Sequence, residues 1–321
     1  MFQEEVNFYM NRMNVFYKRV QDQVYSDRMP LTCEFAATQA PVAFKDRLAL
    51  TYKSIQANEV WGKNWDSAWF HVTGSVPAEF TGKELMFLMY IGGEGLIFDA
   101  EGTPVCGLTG GSVYTGDFFK NNYLIGKDLK AGDKLEFWVE GAANTLFGMV
   151  FDETKELITE HPQGRFTGTL MECSLAVFER EVWALMLDLE VLISLISGLP
   201  EKDFRRRRYA RIVNHAADVW NENPANSAAA REILKEIFEV EPSGAMMTVH
   251  GVGHAHIDTG WLWPVRETIR KCARTFSSQI ALIEQYPEYV FGCSAAQHYA
   301  FTKEHYPALY EKIKKAVASG N

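Results

Sequence analysis

The sequence predicts a multidomain chain of mixed α and β structure. The expected order is an N-terminal helix, an antiparallel, jelly-roll-like β-sandwich, a helical linker and the start of a parallel α/β domain. Three observations predict it. Apolar residues recur at helical spacing near the N-terminus and again over 179–240. Short aromatic and β-branched runs, split by Gly, Asp and Asn turns, fill 60–178. The remainder reads strand, loop, helix, strand, helix. The expected boundaries are 1–45 for the helix and its linker, 46–178 for the sandwich, 179–245 for the helical region and 246–321 for an incomplete α/β domain.

Taken in order, Phe8, Tyr9, Met13, Phe16 and Tyr17 place the first helix from Glu4 to about Tyr25, ahead of a linker with Pro30 and Pro41. The strand candidates are AWFHVTGSV, ELMFLMYIGG, GLIFDAEGTPV, DKLEFWVEGA and NTLFGMVF, whose spacing and glycines favour an antiparallel sandwich or jelly roll. Trp61, Trp65 and Trp69 have faces that can stack on a sugar ring, but packing in the core is their expected use. Val182, Leu185, Met186, Leu189, Leu192 and Ile193 make the apolar face of a helix that Gly198-Leu199-Pro200 stops. The next helix carries Arg205 to Arg208, read as a solvated face in so acidic a chain, and a third runs from about Ser227 to Val240. Met246 to Val252 reads as a buried strand, Val265 to Tyr286 as an amphipathic helix, Tyr289 to Ser294 as a second strand and Pro307 to Ala318 as a last helix.

The charge balance narrows the partners. Lys and Arg total 32 against 41 Asp and Glu, a net charge of -9. That argues against nucleic acid or an anionic membrane and suits a neutral, hydroxyl-rich substrate. The N-terminus is charged throughout, without the apolar core of a secretory signal, and no run reaches the roughly 18 apolar residues of a membrane span. A cytoplasmic protein is expected. The five cysteines are widely and irregularly spaced with no CxxC pair, which points to reduced, mostly buried thiols.

The chemistry is concentrated in GHAHIDTGWLWP, residues 253–264. In an extended segment the side chains of His254, His256 and Asp258 project to one face, because they alternate with period 2. Two imidazoles and a carboxylate at the C-terminal end of an α/β strand suit zinc, which takes His nitrogen and Asp oxygen. Not all three need be ligands, since His254 could orient the site by hydrogen bonding.

The stretch VGHAHIDTGWLWPVRETIRKCARTF resembles the metal-site signature of the glycoside hydrolase family 38 α-mannosidases, in their cytosolic and bacterial branch. FGCSAAQHYAF and HYPALYEKIKKAVASG are similar to that family's next strand and helix, and the segments ahead of Val249 fit its N-terminal region more loosely. The resemblance implies His256 and Asp258 as zinc ligands, Trp261 as a wall of the sugar subsite and His254 as a residue that does not touch the metal. It further implies zinc, with cobalt as a substitute, and retaining hydrolysis of terminal α-D-mannosyl residues from mannosides or free oligosaccharides. A mannose-containing oligosaccharide is then the partner, and a homo-oligomer is compatible with the reading. Gly260 departs from the Ala that this branch often carries, and Phe301 from a frequent Trp.

The nucleophile is expected beyond Asn321, so no catalytic carboxylate is assigned within the chain, and the isolated 321 residues are expected to be inactive. Two rival hydrolases are weaker. The metallo-β-lactamase motif needs a His where Thr259 stands, and the amidohydrolase HxH lacks a long β-rich region ahead of it. A non-catalytic carbohydrate-binding or assembly module is the alternative from another class.

Overall fold

The structure, a computed structural model, describes residues 2–63, 65–110, 120–144, 167–240, 249–261 and 263–321. Helix α1 (Phe2–Gln21) leads into β1 (Tyr25–Pro30), β2 (Thr32–Thr38), β3 (Lys53–Ser54), β4 (Val60–Lys63), β5 (Ser67–Ser75), β6 (Leu85–Tyr90) and β7 (Glu94–Phe98). Strands β8 (Pro104–Leu108), β9 (Asn122–Gly126), β10 (Lys134–Ala142), β11 (Thr167–Thr169) and β12 (Glu172–Phe178) complete the β region. Helices α2 (Arg180–Gly198), α3 (Phe204–Trp220) and α4 (Ser227–Phe238) follow. The chain then runs through β13 (Gly253–His254), α5 (Val265–Gln285), β14 (Phe291–Gly292), α6 (Ala296–His305) and α7 (Pro307–Ser319).

Two antiparallel sheets, ordered β1-β12-β6-β9 and β3-β2-β5-β10-β7-β8, face each other as the jelly roll, with β4 and β11 paired beside them. Period 2 assigns every side chain to a face. Leu85, Phe87 and Met89 of β6, Leu175 and Val177 of β12, Phe70 and Val72 of β5, and Phe137 and Val139 of β10 fill the space between the sheets. Phe87 and Phe137 stack with ring centroids 4.2 Å apart.

The alternate residues are also apolar and also buried. Met86, Leu88, Ala176 and Phe178 turn outward onto α1 and α2, and the same cluster continues through α3 and α4, with Phe16 against Trp220. On the opposite side Trp69, Leu96, Phe98 and Trp138 turn outward onto Cys272, Ala273, Phe276 and Ile280 of α5. Four layers result: helices, sheet, sheet, helices. That is why the strand sequences read as near-continuous apolar runs rather than alternating ones.

The helices expected over the C-terminal half form, as does the solvated arginine face, where Asp203 accepts from the Arg205 backbone N–H at 2.9 Å and Arg208 pairs with Glu236 at 2.7 Å. Three expectations are corrected. The first helix stops at Gln21, because Tyr25 pairs with Phe178 as the opening residue of β1. The buried strand expected over Met246 to Val252 does not form where it is described. Residues 246–248 lie outside the described residues, Val249 and Val252 are 87% and 61% exposed, and the ladder begins only at Gly253. An apolar run is buried only where another layer covers it, and these positions lie at the surface. The second strand shortens to Phe291–Gly292, although it does pair in parallel with β13 as an α/β opening requires. The candidate strand NTLFGMVF lies outside the described residues from Thr145 onward.

Trp61 and Trp69 are only 3% and 2% exposed, and their indole N–H groups donate to Ile91 O and Val42 O at 2.7 and 2.8 Å. Both serve the core, as expected. The five cysteines are unpaired, with Cys33, Cys106 and Cys272 buried. Among the described residues no helix is long and apolar enough to cross a membrane.

Candidate metal centre

The segment that leaves β13 carries His254, Ala255, His256, Ile257 and Asp258. Ile257 packs into the α5 cluster, which turns its neighbours His256 and Asp258 away from the core. His256 Nε2 and Asp258 Oδ1 then stand 3.2 Å apart at the surface. Zinc bonded to His nitrogen and Asp oxygen at about 2.0–2.2 Å in tetrahedral geometry holds neighbouring donors about 3.3–3.5 Å apart, so the pair fits two corners of a zinc shell in donor type and in spacing. Among the described residues no group of three or more His, Cys, Asp or Glu side chains surrounds one point. His254 ends β13, exposed, and makes no hydrogen bond to the pair.

After Asp258 the chain reverses. Gly260 sits at φ +73°, a region glycine enters without the Cβ clash, so the departure from Ala suits this turn. Trp261 follows, 53% exposed, with its ring set edge-on to Trp263 at 5.3 Å and 89°. Trp263 is buried, and Pro264 caps α5 in extended conformation. The first turn of α5 thus lies under the loop that presents the His–Asp pair.

His298 of α6 faces the same loop from below. It is 2% exposed, its Nε2 lies 3.2 Å from Thr259 Oγ1, and burial holds its imidazole below the ordinary histidine range. His298 and His305 both lie on α6, and His298 packs under the metal motif rather than joining the His256–Asp258 pair.

A group that local spacing did not reveal anchors this region to the jelly roll. Glu94 of β7 accepts at a single carboxylate oxygen from Lys271 at 2.7 Å, Arg274 at 3.0 Å and Asn144 at 2.8 Å. Glu140 of β10 lies 3.3 Å from Arg270, which also bonds Glu267, Ser67 and the Gly141 carbonyl. All six ionic side chains are buried: three carboxylates balance three cations. Lys271 in addition lies 4.6 Å over the Trp263 ring, joining the cluster to the loop that carries the His–Asp pair. Burial pushes the Glu94 carboxyl up, but Lys271 and Arg274 overcome that and hold it below the usual carboxylate range. At Glu140 burial wins over Arg270 and Arg274, and the carboxyl is raised. The available signal was a Glu opening the apolar strand EGLIF and the second Glu of KLEFWVEGA, together with cations three and four apart on one helix.

The outer face of the jelly roll thus carries the first helix of an α/β unit, whose short parallel strand leads into the His–Asp pair and the exposed Trp261. Residues 246–321 match the family described as Glycosyl hydrolases family 38 N-terminal domain, and residues 29–173 match that described as Alpha-mannosidase, jelly roll domain. The chain is 34% identical over 281 residues to Alpha-mannosidase G of Dictyostelium discoideum, covering 87% of this chain and 25% of that protein. To Alpha-mannosidase 2C1 of Mus musculus it is 30% identical over 304 residues, covering 94% of this chain and 28% of that protein. The chain belongs to glycosyl hydrolase family 38, of which it carries the jelly roll and the opening of the N-terminal domain. It spans about a quarter of the length of the curated relatives it matches.

Proposed function

We propose that this chain is the N-terminal portion of a zinc-dependent α-mannosidase that removes terminal α-D-mannosyl residues from mannosides or free oligosaccharides by a retaining mechanism. The observation that carries the reading is the 3.2 Å approach of His256 and Asp258 at the end of a parallel strand, next to the exposed Trp261. His256 and Asp258 would hold the metal through imidazole nitrogen and carboxylate oxygen. Zinc, when bound, supplies Lewis acidity and a template for the sugar hydroxyls. Trp261 offers its indole face to the apolar side of a pyranose and so orients the ring and excludes water. His254, exposed at the end of β13, would lie beside the site without contact with the metal. A cytoplasmic location belongs to the same reading and is supported by the unpaired cysteines.

A non-catalytic carbohydrate-binding module on the jelly roll is disfavoured, because two of its three candidate aromatics, Trp61 and Trp69, are spent in the core, and Trp65 is itself half-buried. Zinc titration of the complete enzyme against its His256→Ala, Asp258→Ala and His254→Ala variants tests the metal assignment. The first two should abolish binding and the third should weaken it less. Stoichiometric zinc retained in both ligand variants would sink it.

A further inference from the structure

We propose that Thr268, on the first turn of α5, is a positioning residue that presets Asp258 for the metal. The inference rests on the reading of His256 and Asp258 as ligands. The Thr268 side chain is fully buried, yet its hydroxyl serves the surface loop. Its Oγ1 donates to the Asp258 carbonyl at 3.1 Å. It accepts from the Gly260 backbone N–H at 2.9 Å and from the Trp263 indole N–H at 3.0 Å. A hydroxyl has one proton and two lone pairs, so these three bonds use its whole capacity, and all three partners belong to the 258–263 loop.

A threonine inside a helix ordinarily returns its hydroxyl to a carbonyl three or four residues earlier in the same helix. Thr268 instead reaches back ten residues, to the peptide that follows the ligand. Fixing the Asp258 carbonyl fixes the plane of the Asp258–Thr259 peptide, and fixing the Gly260 N–H fixes the turn at φ +73°. Between them they leave the Asp258 carboxylate a narrow range of directions, within which it meets His256 at 3.2 Å. The clamp stands on firm ground, because α5 is tied to β7 and β10 by Lys271, Arg274 and Arg270 within the next two turns. A ligand placed in advance loses less conformational freedom when the metal arrives.

The test compares Thr268→Val, which keeps the shape and removes the hydroxyl, with Thr268→Ser, which keeps the hydroxyl. Hydrogen exchange at the Gly260 amide and the Trp263 indole, measured without metal, reads the clamp directly, and zinc titration of the complete enzyme reads its consequence. Val should speed both exchanging protons about tenfold, the equivalent of one lost hydrogen bond. It should also weaken zinc about 10–100-fold, the range for a lost supporting hydrogen bond, while Ser stays close to the parent. Amides over 275–285 should keep parent-like protection, which separates loss of the clamp from loss of the helix. Parent-like exchange and affinity in Val would overturn the proposal, and so would a Ser variant as impaired as Val. A complete enzyme that takes no zinc overturns the ligand reading itself, and the clamp is then decided by the two exchange rates alone.

Discussion

Glu94→Gln should separate α5 from the jelly roll energetically while changing almost no volume. The wild-type carboxylate is 4% exposed and gathers two cations and an amide on one oxygen. Gln keeps an acceptor oxygen but no charge, so Lys271 and Arg274 are left buried with their shared counter-charge gone. Removing one partner from a buried ion pair costs about 3–5 kcal/mol, and the retained oxygen places this variant near about 3 kcal/mol. At about 2–4 °C per kcal/mol for a large domain, the melting temperature should fall by roughly 6–12 °C. Denaturant unfolding followed by tryptophan fluorescence provides the assay, with Trp263 reporting from beside Lys271.

Acid dependence gives a second reading of the same group. The folded carboxyl titrates below its unfolded value, so its contribution is present above the ordinary carboxylate pKa near 4.5 and disappears as pH falls through the depressed folded value. Glu94→Gln should therefore flatten the acid limb of the stability profile. Glu140 has the opposite sign: its raised carboxyl stabilises most at low pH, and that contribution is lost as pH rises through the folded value. Glu140→Gln should accordingly narrow its deficit toward neutrality rather than toward acid. A Glu94→Gln chain within about 1 kcal/mol of the parent, the size of one ordinary hydrogen bond, would refute the claim that buried charge holds this junction.

Two further outcomes follow from particular contacts. Trp261→Ala, in the complete enzyme, should cut mannoside turnover strongly while shifting stability by less than about 1 kcal/mol, because the ring is 53% exposed; activity falling only in step with folded protein would return Trp261 to the core. Gly107→Ala should cost about 1–3 kcal/mol by overpacking, since its Cβ would stand 2.7 Å from the Arg274 carbonyl oxygen where β8 meets α5; an unfolding midpoint equal to the parent's would show that the helix can move aside.

What the sequence by itself determined is local. Residue periodicity placed α2, α4, α5 and α7 to within a few residues and marked the jelly-roll strands, because helix and strand repeats are set by neighbours along the chain. The same alternation put His256 and Asp258 on one side of an extended segment, and the structure brings their side chains together. Only the tertiary structure decided which surfaces those elements share. Strand β6 is apolar on both faces, and nothing local says that Phe87 meets Phe137 while Met86 meets the helices. The apolar run ending at Val252 looked buried, yet burial needs a covering layer, which is not a property of the run. The amphipathic pattern of α5 does not say where Arg270, Lys271 and Arg274 come to lie. They are buried because Glu94 and Glu140, more than a hundred residues earlier, arrive opposite them. A charge can leave water only when a counter-charge is held in place for it, and that partner is supplied by the fold rather than by the neighbouring sequence.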